Sequence, residues 1–262
     1  MIKAFFTSAT GMNAMQTVID NTANNLANVN TTGFKRSQVD FQDLIYVTHR
    51  QPGTEGAQGF ELPTGMQIGS GVRIAGTTKI FSAGTLDHTE NPLDIAIEGE
   101  GFFQITLPNG QIRYTRDGAF RLNAAGNLVT SDGFLLEPPI VIPQDAVNIS
   151  IGSDGTVSVV TSAGGSPTVV GTIQIARFPN PAGLLSEGRN LFSETAASGT
   201  PTLSMPGQNG TGLLRQGFLE RSNVEVVREL VNLILAQRAY EFNTKAIKVA
   251  DEMLASTNSL SR

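Results

Sequence analysis

The chain of 262 residues contains neither cysteine nor tryptophan. Without cysteine there are no disulfide bonds and no thiolate chemistry, and the composition does not indicate a redox compartment. Lysine and arginine form no cluster and the formal net charge is -5. This argues against a nucleic-acid or anionic-membrane partner, because phosphate groups are bound by clustered cations. No run of about 18 apolar residues occurs, so the sequence predicts no bilayer-spanning segment.

Charge is almost absent from the first 34 residues, where only Lys3 and Asp20 are charged. A water-facing helix normally carries several charges, and a lipid-facing helix excludes amides. We therefore expect this segment to face other protein surfaces, because amides form hydrogen bonds without the desolvation cost of a charge. The alternative for Asn28–Asn30 is a frayed helix end, since asparagine favours caps and turns. The amides in question are Asn21, Asn24, Asn25, Asn28 and Asn30.

The first residues start as a signal peptide does, with Lys3 followed by an apolar stretch. A cleaved signal peptide needs an apolar region of about 7–15 residues. Polar residues interrupt this one, so we expect the N-terminus to be retained. These residues are Thr7, Ser8, Thr10, Asn13 and Gln16.

Apolar seams with coiled-coil spacing occupy both ends of the chain. The first predicts a helix over residues 1–29 that ends before Gly33, and consists of Ile2, Phe5, Ala9, Met12, Gln16, Ile19, Ala23 and Leu26. The second follows a capping box at Ser222–Glu225, and consists of Leu235, Ala239, Phe242, Ala246, Val249, Met253, Ser256 and Leu260. A neighbouring apolar stripe indicates a second partner for this helix, and consists of Val226, Leu230, Leu233, Tyr240, Ile247 and Leu254. The entropy of ordering both segments exceeds what one helix pair returns, so we expect other copies to stabilise them.

The segment between the helices has the pattern of β-structure. Glycine turn signals occur at residues 108–110, 116–118, 131–133 and 153–155, as in hairpins. Apolar residues alternate with polar ones at Phe103-Ile105-Leu107, Ile149-Ile151, Val157-Val159 and Ile173-Ile175. Residues 51–71 carry two prolines and many glycines without a period, which predicts a long extended loop.

These patterns predict an α+β fold in which N- and C-terminal helices pair as a coiled-coil domain, with a β-rich body between them. We expect residues 1–30 and 217–262 to form the helical domain. Residues 31–75 are expected to be an extended connector, and residues 76–216 the β-rich outer body.

No pattern indicates catalysis, a cofactor or a metal. The segment Gly99-Glu100-Gly101 precedes a strand rather than a helix, which disfavours phosphate binding. His49 and His88 lack ligand spacing, and Asp132-Gly133 and Asp154-Gly155 are expected to be turns rather than calcium loops. The acids near turns are expected to be solvated, and are Asp87, Glu90, Asp94, Glu98 and Glu100. We therefore predict that the protein is not an enzyme and holds no cofactor.

Four motifs in order along the chain resemble the bacterial flagellar rod and hook family. They are ANNLANVNTTGFKR (Ala23–Arg36), LDIAIEGEGFFQI (Leu93–Ile105), YTRDGAFRLNAAGNLVTSDGFLL (Tyr114–Leu136) and QGFLERSNVEVVRELVNLILAQRAYEFNTKAIKVADEML (Gln216–Leu254). Within the family, Phe41–Arg73 is similar to the distal-rod branch, in which this stretch distinguishes the straight rod from the bendable hook. The length also fits the distal rod and is short for a hook subunit.

The resemblance implies a structural subunit that polymerises helically into a rigid hollow drive shaft and transmits motor torque to the hook. It implies a place in the basal body, in the rod that spans the periplasm, and export without a cleaved signal peptide. The implied partners are other copies of the chain, proximal rod proteins, the hook protein, P-ring and L-ring proteins, the rod cap and the flagellar type III export apparatus. Neither nucleic acid nor a small-molecule substrate is expected.

Two sets of residues are expected at subunit contacts. The inner helical layer consists of Ile2, Phe5, Met12, Ile19, Leu26, Leu235, Phe242, Val249 and Met253. A loop that locks the tilt of neighbouring subunits, expected from the resemblance, consists of Gln51, Pro52, Phe60, Leu62, Pro63 and Met66. The alternatives are a proximal rod or hook subunit and, in a different class, a secreted carbohydrate-binding or adhesive β-domain.

Overall fold

The computed structural model describes residues 2–52, 55–57, 60–61, 64–161 and 165–260. The predicted fold class is confirmed, because a helix lies at each end of the chain, the two helices are in contact, and the sequence between them is rich in strands. The chain divides into two compact units. The helical unit consists of Met1–Leu26, Ser37–Thr78 and Glu225–Arg262, and the body unit of Ala27–Arg36 and Lys79–Val224.

Helices α1 (Ile2–Ala27) and α2 (Val226–Leu260) pack against each other in the helical unit. Gly11 lies against Asn243, and Asn25 lies near Glu229, so the two helices run antiparallel. Small buried side chains, Ala14, Ala236 and Ala250, allow this close approach. Helix α2 begins later than the predicted Ser222 cap, because the Glu229 N–H donates to the Glu225 carbonyl. Neither helix has the length and apolarity of a membrane span within the described residues.

Six strands complete the helical unit: β1 (Ser37–Asp43), β2 (Val47–Arg50), β3 (Glu55–Ala57), β4 (Phe60–Glu61), β5 (Met66–Ile68) and β6 (Val72–Lys79). They pair as β1 with β6, β2 with β5 and β3 with β4. The segment predicted as an extended loop is therefore part of an antiparallel ribbon. The sequence of the ribbon has no alternation of apolar and polar residues, because β2 and β5 are exposed on both faces.

The body unit contains 16 further strands. They are β7 (Leu86–His88), β8 (Ile95–Glu98), β9 (Phe102–Thr106), β10 (Ile112–Thr115), β11 (Arg121–Leu122), β12 (Leu128–Val129), β13 (Leu135–Glu137), β14 (Asn148–Ile151), β15 (Thr156–Val160), β16 (Thr168–Thr172), β17 (Ile175–Arg177), β18 (Leu185–Gly188), β19 (Leu191–Ser193), β20 (Thr202–Ser204), β21 (Leu213–Gln216) and β22 (Phe218–Glu220). A nine-stranded sheet has the path β11-β12-β13-β9-β10-β19-β18, with β17 bridging β9 and β20. Strands β14, β15 and β16 form a second sheet, and β21 pairs with β8 and β22 with β7.

Two hydrophobic clusters fill the body unit. The larger one contains Phe103, Phe120 and aliphatic residues from several strands, and the smaller one is aromatic, with Phe102, Tyr114 and Phe178 in edge-to-face contact. The predicted strands at residues 149–151 and 157–159 are confirmed, and that at residues 103–107 ends one residue early, at Thr106. The predicted strand at Ile173-Ile175 is wrong, because Ile173 lies between β16 and β17. The prediction of a hairpin turn at residues 116–118 is wrong, because the strands on either side of it, β10 and β11, do not pair with each other. A Cβ atom at Gly118 would clash with the Ile95 carbonyl, so glycine serves close backbone approach there.

Candidate functional site

The amides at the end of α1 bind the chain itself. Asn25 is 1% exposed, its Nδ2 donates to the Ser37 carbonyl at 2.9 Å, and its Oδ1 accepts the Ser37 N–H at 2.9 Å. Asn21 Nδ2 donates to the same carbonyl at 2.7 Å. The end of α1 is not frayed, because Asn28 accepts hydrogen bonds from the backbone N–H and hydroxyl of Thr31. These amides therefore fix the chain where it leaves the helix.

The residues predicted for the inner helical layer differ in exposure between the two helices. Phe5, Met12, Ile19 and Leu26 of α1 are half-buried, and the side chain of Ile2 lies outside the described part of the structure. On α2, Leu235 is 63%, Phe242 64%, Val249 48% and Met253 55% exposed. The half-buried face of α2 contains three residues of the second stripe, Leu233, Ile247 and Leu254. Within the single chain the prediction is wrong for the other three, which are exposed: Val226, Leu230 and Tyr240.

The exposed face of α2 has large apolar residues along most of the length of the helix, with the charged Arg238 and Lys245 among them. We call it the α2 stripe, and it consists of Val227, Val231, Ile234, Leu235, Phe242, Val249 and Met253. An apolar surface of this extent marks an interaction site on a protein that is otherwise folded. Because α1 covers a different face, the α2 stripe is open to a further partner.

The ribbon formed by β2 and β5 is the second candidate surface. Met66 of β5 is exposed on it, and so are Ile45 and Tyr46 directly before β2. The backbone of Gly71 contacts Thr10 of α1. Of the predicted locking residues, Gln51 and Pro52 are exposed and Phe60 lies in β4. The side chain of Phe60 and all of Leu62 and Pro63 lie outside the described residues. Ile45 and Tyr46 were missed, although two apolar residues beside an unpatterned segment are a signal for exposed apolar surface.

Three of the sequence motifs meet inside the body unit at residues 31–36. These residues are the first part of the predicted connector of residues 31–75, and from here on the word connector refers to residues 31–36 alone. Gly33 has φ +67, and its N–H donates to the Glu220 carbonyl at 2.8 Å. The Thr32 hydroxyl donates to Asp117 Oδ1 at 2.9 Å, and Asn190 Nδ2 donates to the Thr32 carbonyl at 3.0 Å. The predicted role of Gly33 in leaving the helix agrees with its positive φ, and its tight contact with Asp117 adds a second requirement for glycine.

A buried ion cluster of Lys35, Arg116 and Glu220 lies beneath the connector. Lys35 Nζ is 2.6 Å from Glu220 Oε1, and Arg116 Nη1 is 3.6 Å from Glu220 Oε2. Lys35 also donates to the Ser82 carbonyl at 2.7 Å, and the Gly84 N–H donates to Glu220 Oε1 at 2.9 Å. Sequence reasoning missed this cluster. Its only signal is one charged residue beside glycine and aromatic residues in each of three separate motifs.

Burial governs the electrostatics of the cluster. Desolvation lowers the pKa of Lys35, the Glu220 carboxylate opposes this shift, and the charge of Arg116 adds to it. Burial also lowers the pKa of Arg116, against the effect of the Glu220 and Glu100 carboxylates. The guanidinium nevertheless remains charged, because arginine keeps its proton in proteins. Two cations thus share one carboxylate in a site that water does not reach.

The part of the chain that the structure describes contains no group of three or more His, Asp or Glu side chains that could hold a metal. Several acids from the candidate set have local partners instead. Glu98 pairs with Arg215, and Glu100 pairs with Arg177 at 2.9 Å. Asp94 accepts hydrogen bonds from Thr89 and Asn91.

Three protein families match the chain along its length. They are described as "Flagella basal body rod protein" over residues 6–35, "Flagellar hook protein FlgE/F/G D1 domain" over residues 96–159 and "Flagellar basal body rod FlgEFG protein C-terminal" over residues 215–260. These segments contain α1 with the connector, the middle of the body unit, and α2.

Individual relatives are similar over their whole length. The flagellar basal-body rod protein FlgG of Buchnera aphidicola subsp. Schizaphis graminum is 49% identical over 99% of this chain and 100% of the relative. FlgG of Borreliella burgdorferi is 47% identical over 100% of both chains. FlgG of Bacillus subtilis is 40% identical over 100% of both chains.

Proposed function

We infer that this chain, which belongs to the FlgG family of flagellar basal-body rod proteins, is a structural subunit of the distal rod of the bacterial flagellum. Its polymer is a rigid drive shaft that transmits motor torque to the hook. The observation that carries this function in the structure is the α2 stripe, an apolar surface on a helix whose other face is already paired. No similarity supports the carbohydrate-binding alternative.

A helix with two apolar faces suits a helical polymer. Each α2 uses one face for α1 of its own chain, which leaves the α2 stripe for a neighbouring copy. A fully buried large apolar side chain contributes about 1.5–3 kcal/mol, so half-exposed residues such as Leu235 and Phe242 have on the order of 1 kcal/mol each still to gain. One such contact is weak, but every copy in a polymer makes several.

The ribbon is proposed to lock the tilt between copies. Two hydrogen-bonded strands resist bending better than a single extended segment, and Tyr46 and Met66 supply exposed apolar contacts. The predicted locking residues Gln51, Pro52, Phe60, Leu62 and Pro63 belong to this proposal. A straight polymer then depends on the ribbon, whereas polymerisation itself depends on α2.

Assembly into the basal body with other flagellar components follows from the family. The proposal adds the proximal rod and hook proteins as axial neighbours, the P-ring and L-ring proteins around the shaft, and the rod cap and type III export apparatus as assembly partners. It also includes a rod that spans the periplasm, export without a cleaved signal, and the division at residues 1–30, 31–75, 76–216 and 217–262. A mechanical role without catalysis accords with a structural family.

Electron microscopy of the purified, concentrated chain tests this function. We expect straight tubes from the wild type and none from a triple variant of the α2 stripe, Leu235→Gln, Phe242→Gln and Val249→Gln, which keeps helix propensity. The matched control carries Val147→Gln and Val169→Gln on the body, at residues that are equally exposed, and should polymerise. Normal tubes from the triple variant would contradict the proposal, and curved wild-type tubes would favour a hook subunit.

A further inference from the structure

The buried ion cluster joins parts of the chain that are distant in sequence. Lys35 lies in the connector, Arg116 follows β10, and Glu220 ends β22, the last strand before α2. Lys35 and Glu220 are 185 residues apart. The cluster therefore forms only when the connector, the middle of the body and the end of the body have all folded.

Glu220 holds the connector at two points. Its carbonyl accepts the Gly33 N–H, and its carboxylate pairs with Lys35 two residues further on. A shift of the connector by one residue would break both contacts and would leave Lys35 and Glu220 buried without each other. The geometry thus specifies one register of the connector.

Stability alone does not account for these charges. Replacing a buried ion cluster with apolar residues of similar volume is often neutral or stabilising, whereas removing one partner is strongly destabilising. This cluster is also incompletely satisfied, since within the described residues Arg116 Nε and Glu220 Oε2 have no hydrogen-bond partner. Beyond apolar packing, the charges favour the one register of the connector in which they are paired, because every other register leaves a charge buried without its partner.

We propose that the buried ion cluster is a register latch, which fixes the connector in one conformation on the body unit and makes the subunit competent for assembly. The second half of this statement rests on the proposed function. The first half concerns the single chain and holds without any polymer.

The test compares the full-length wild type with an apolar variant, Lys35→Met, Arg116→Met and Glu220→Leu. We expect the apolar variant to melt below the wild type, because the Ser82 carbonyl, the Gly84 N–H and the Gly99 carbonyl each lose a partner. It should nevertheless melt above a variant that leaves a buried charge unpaired, because packing replaces the charges. Hydrogen exchange at residues 31–36 should become at least about tenfold faster, and the number of tubes should fall at least about tenfold, because the register is no longer specified. The matched control is Glu98→Gln with Arg215→Gln, an exposed ion pair whose loss should change none of the three measurements.

A single variant, Glu220→Gln, provides the second arm. It leaves two buried cations without a carboxylate, so its melting temperature should fall well below that of the apolar variant. The latch is overturned if the apolar variant keeps wild-type protection at residues 31–36, or if it unfolds as readily as Glu220→Gln, which would make the cluster a plain stabiliser. If the wild type forms no tubes, the proposed function fails, and hydrogen exchange at residues 31–36 still decides whether the latch exists.

Discussion

At the residue scale, single polar side chains fix the path of the backbone. Asn25 forms hydrogen bonds with both backbone groups of Ser37, and the Glu220 carbonyl accepts the Gly33 N–H. The sequence indicated that the amides seek protein partners, but the identity of Ser37 as their partner depends on how the chain folds back after α1. Tertiary contacts of this kind leave no local pattern.

Replacing Asn25 with alanine is expected to destabilise the helical unit by about 1–3 kcal/mol, because the Ser37 N–H loses its Asn25 acceptor. The Ser37 carbonyl loses one of two donors and still accepts from Asn21. The measurement is urea unfolding of the assembled polymer followed by circular dichroism at 222 nm, because the helix pair is expected to be stable in the polymer. Gln16→Ala on the exposed side of α1 is the control and should stay within about 0.5 kcal/mol of the wild type. Equal effects of the two substitutions would show that the Ser37 contacts contribute nothing.

Gly33→Ala is expected to cost more than Gly110→Ala. Both glycines have positive φ, +67 and +78, which costs a residue with a Cβ about 1–2 kcal/mol. At Gly33 the new Cβ would also lie 2.6 Å from the Asp117 nitrogen, whereas nothing lies within 4 Å at Gly110. Thermal unfolding of both variants separates backbone strain from the clash, and identical melting temperatures would refute the close contact.

The pH dependence of stability should reveal Lys35. Its pKa in the folded chain is lowered by burial from the ordinary value of 10.5, so above the folded pKa the unfolded chain binds more protons. The contribution of Lys35 to unfolding free energy therefore increases with pH between the folded pKa and 10.5. Subtracting the curve of Lys35→Met removes the effect of Lys79, whose pKa burial also lowers. A difference curve that falls with pH would contradict this assignment.

At the scale of elements, the sequence predicted the helices and strands in which apolar residues recur at regular spacing. The heptads predicted both helices, and alternation of apolar and polar residues predicted β9, β14 and β15. Strands β14 and β15 bury one face more than the other, as alternation implies, whereas β9 is buried on both faces. The seam alone did not tell which face of α2 pairs with α1, since small residues such as Ala236 and Ala250 form that face while larger residues remain exposed. The buried ion cluster could not be predicted either, because its charges are far apart in sequence.

Shortening the ribbon should change the shape of the polymer without preventing it. Arg50 and Met66 are directly opposite each other, so replacing residues 51–65 with Asn-Gly keeps the β2–β5 ladder and closes it with a two-residue turn. We expect curved or bendable tubes in electron micrographs, in contrast to the absence of tubes from the α2 stripe variant. Straight, rigid tubes from the shortened chain would rule out the locking role of residues 51–65.

At the scale of the whole molecule, folding and assembly are expected to be coupled. The helix pair buries small side chains such as Ala14 and Ala236, which return little of the entropy lost on ordering two long helices. Hydrogen exchange at residues 5–25 should therefore be fast in the dilute monomer and slow in the polymer. Strong protection of these residues in the monomer would show that the helix pair is stable by itself.

The position of Glu220 in the last strand of the body unit also determines when the ion cluster can form during synthesis. A ribosome makes Lys35 long before it makes the carboxylate that neutralises it, so nascent or prematurely terminated chains have an unpaired lysine at the connector. Such fragments cannot take up the finished arrangement, however much of the body they contain. Only a polypeptide that has been synthesised through β22 can form the ion cluster. The pairing of Lys35 therefore depends on a residue that is made near the end of synthesis.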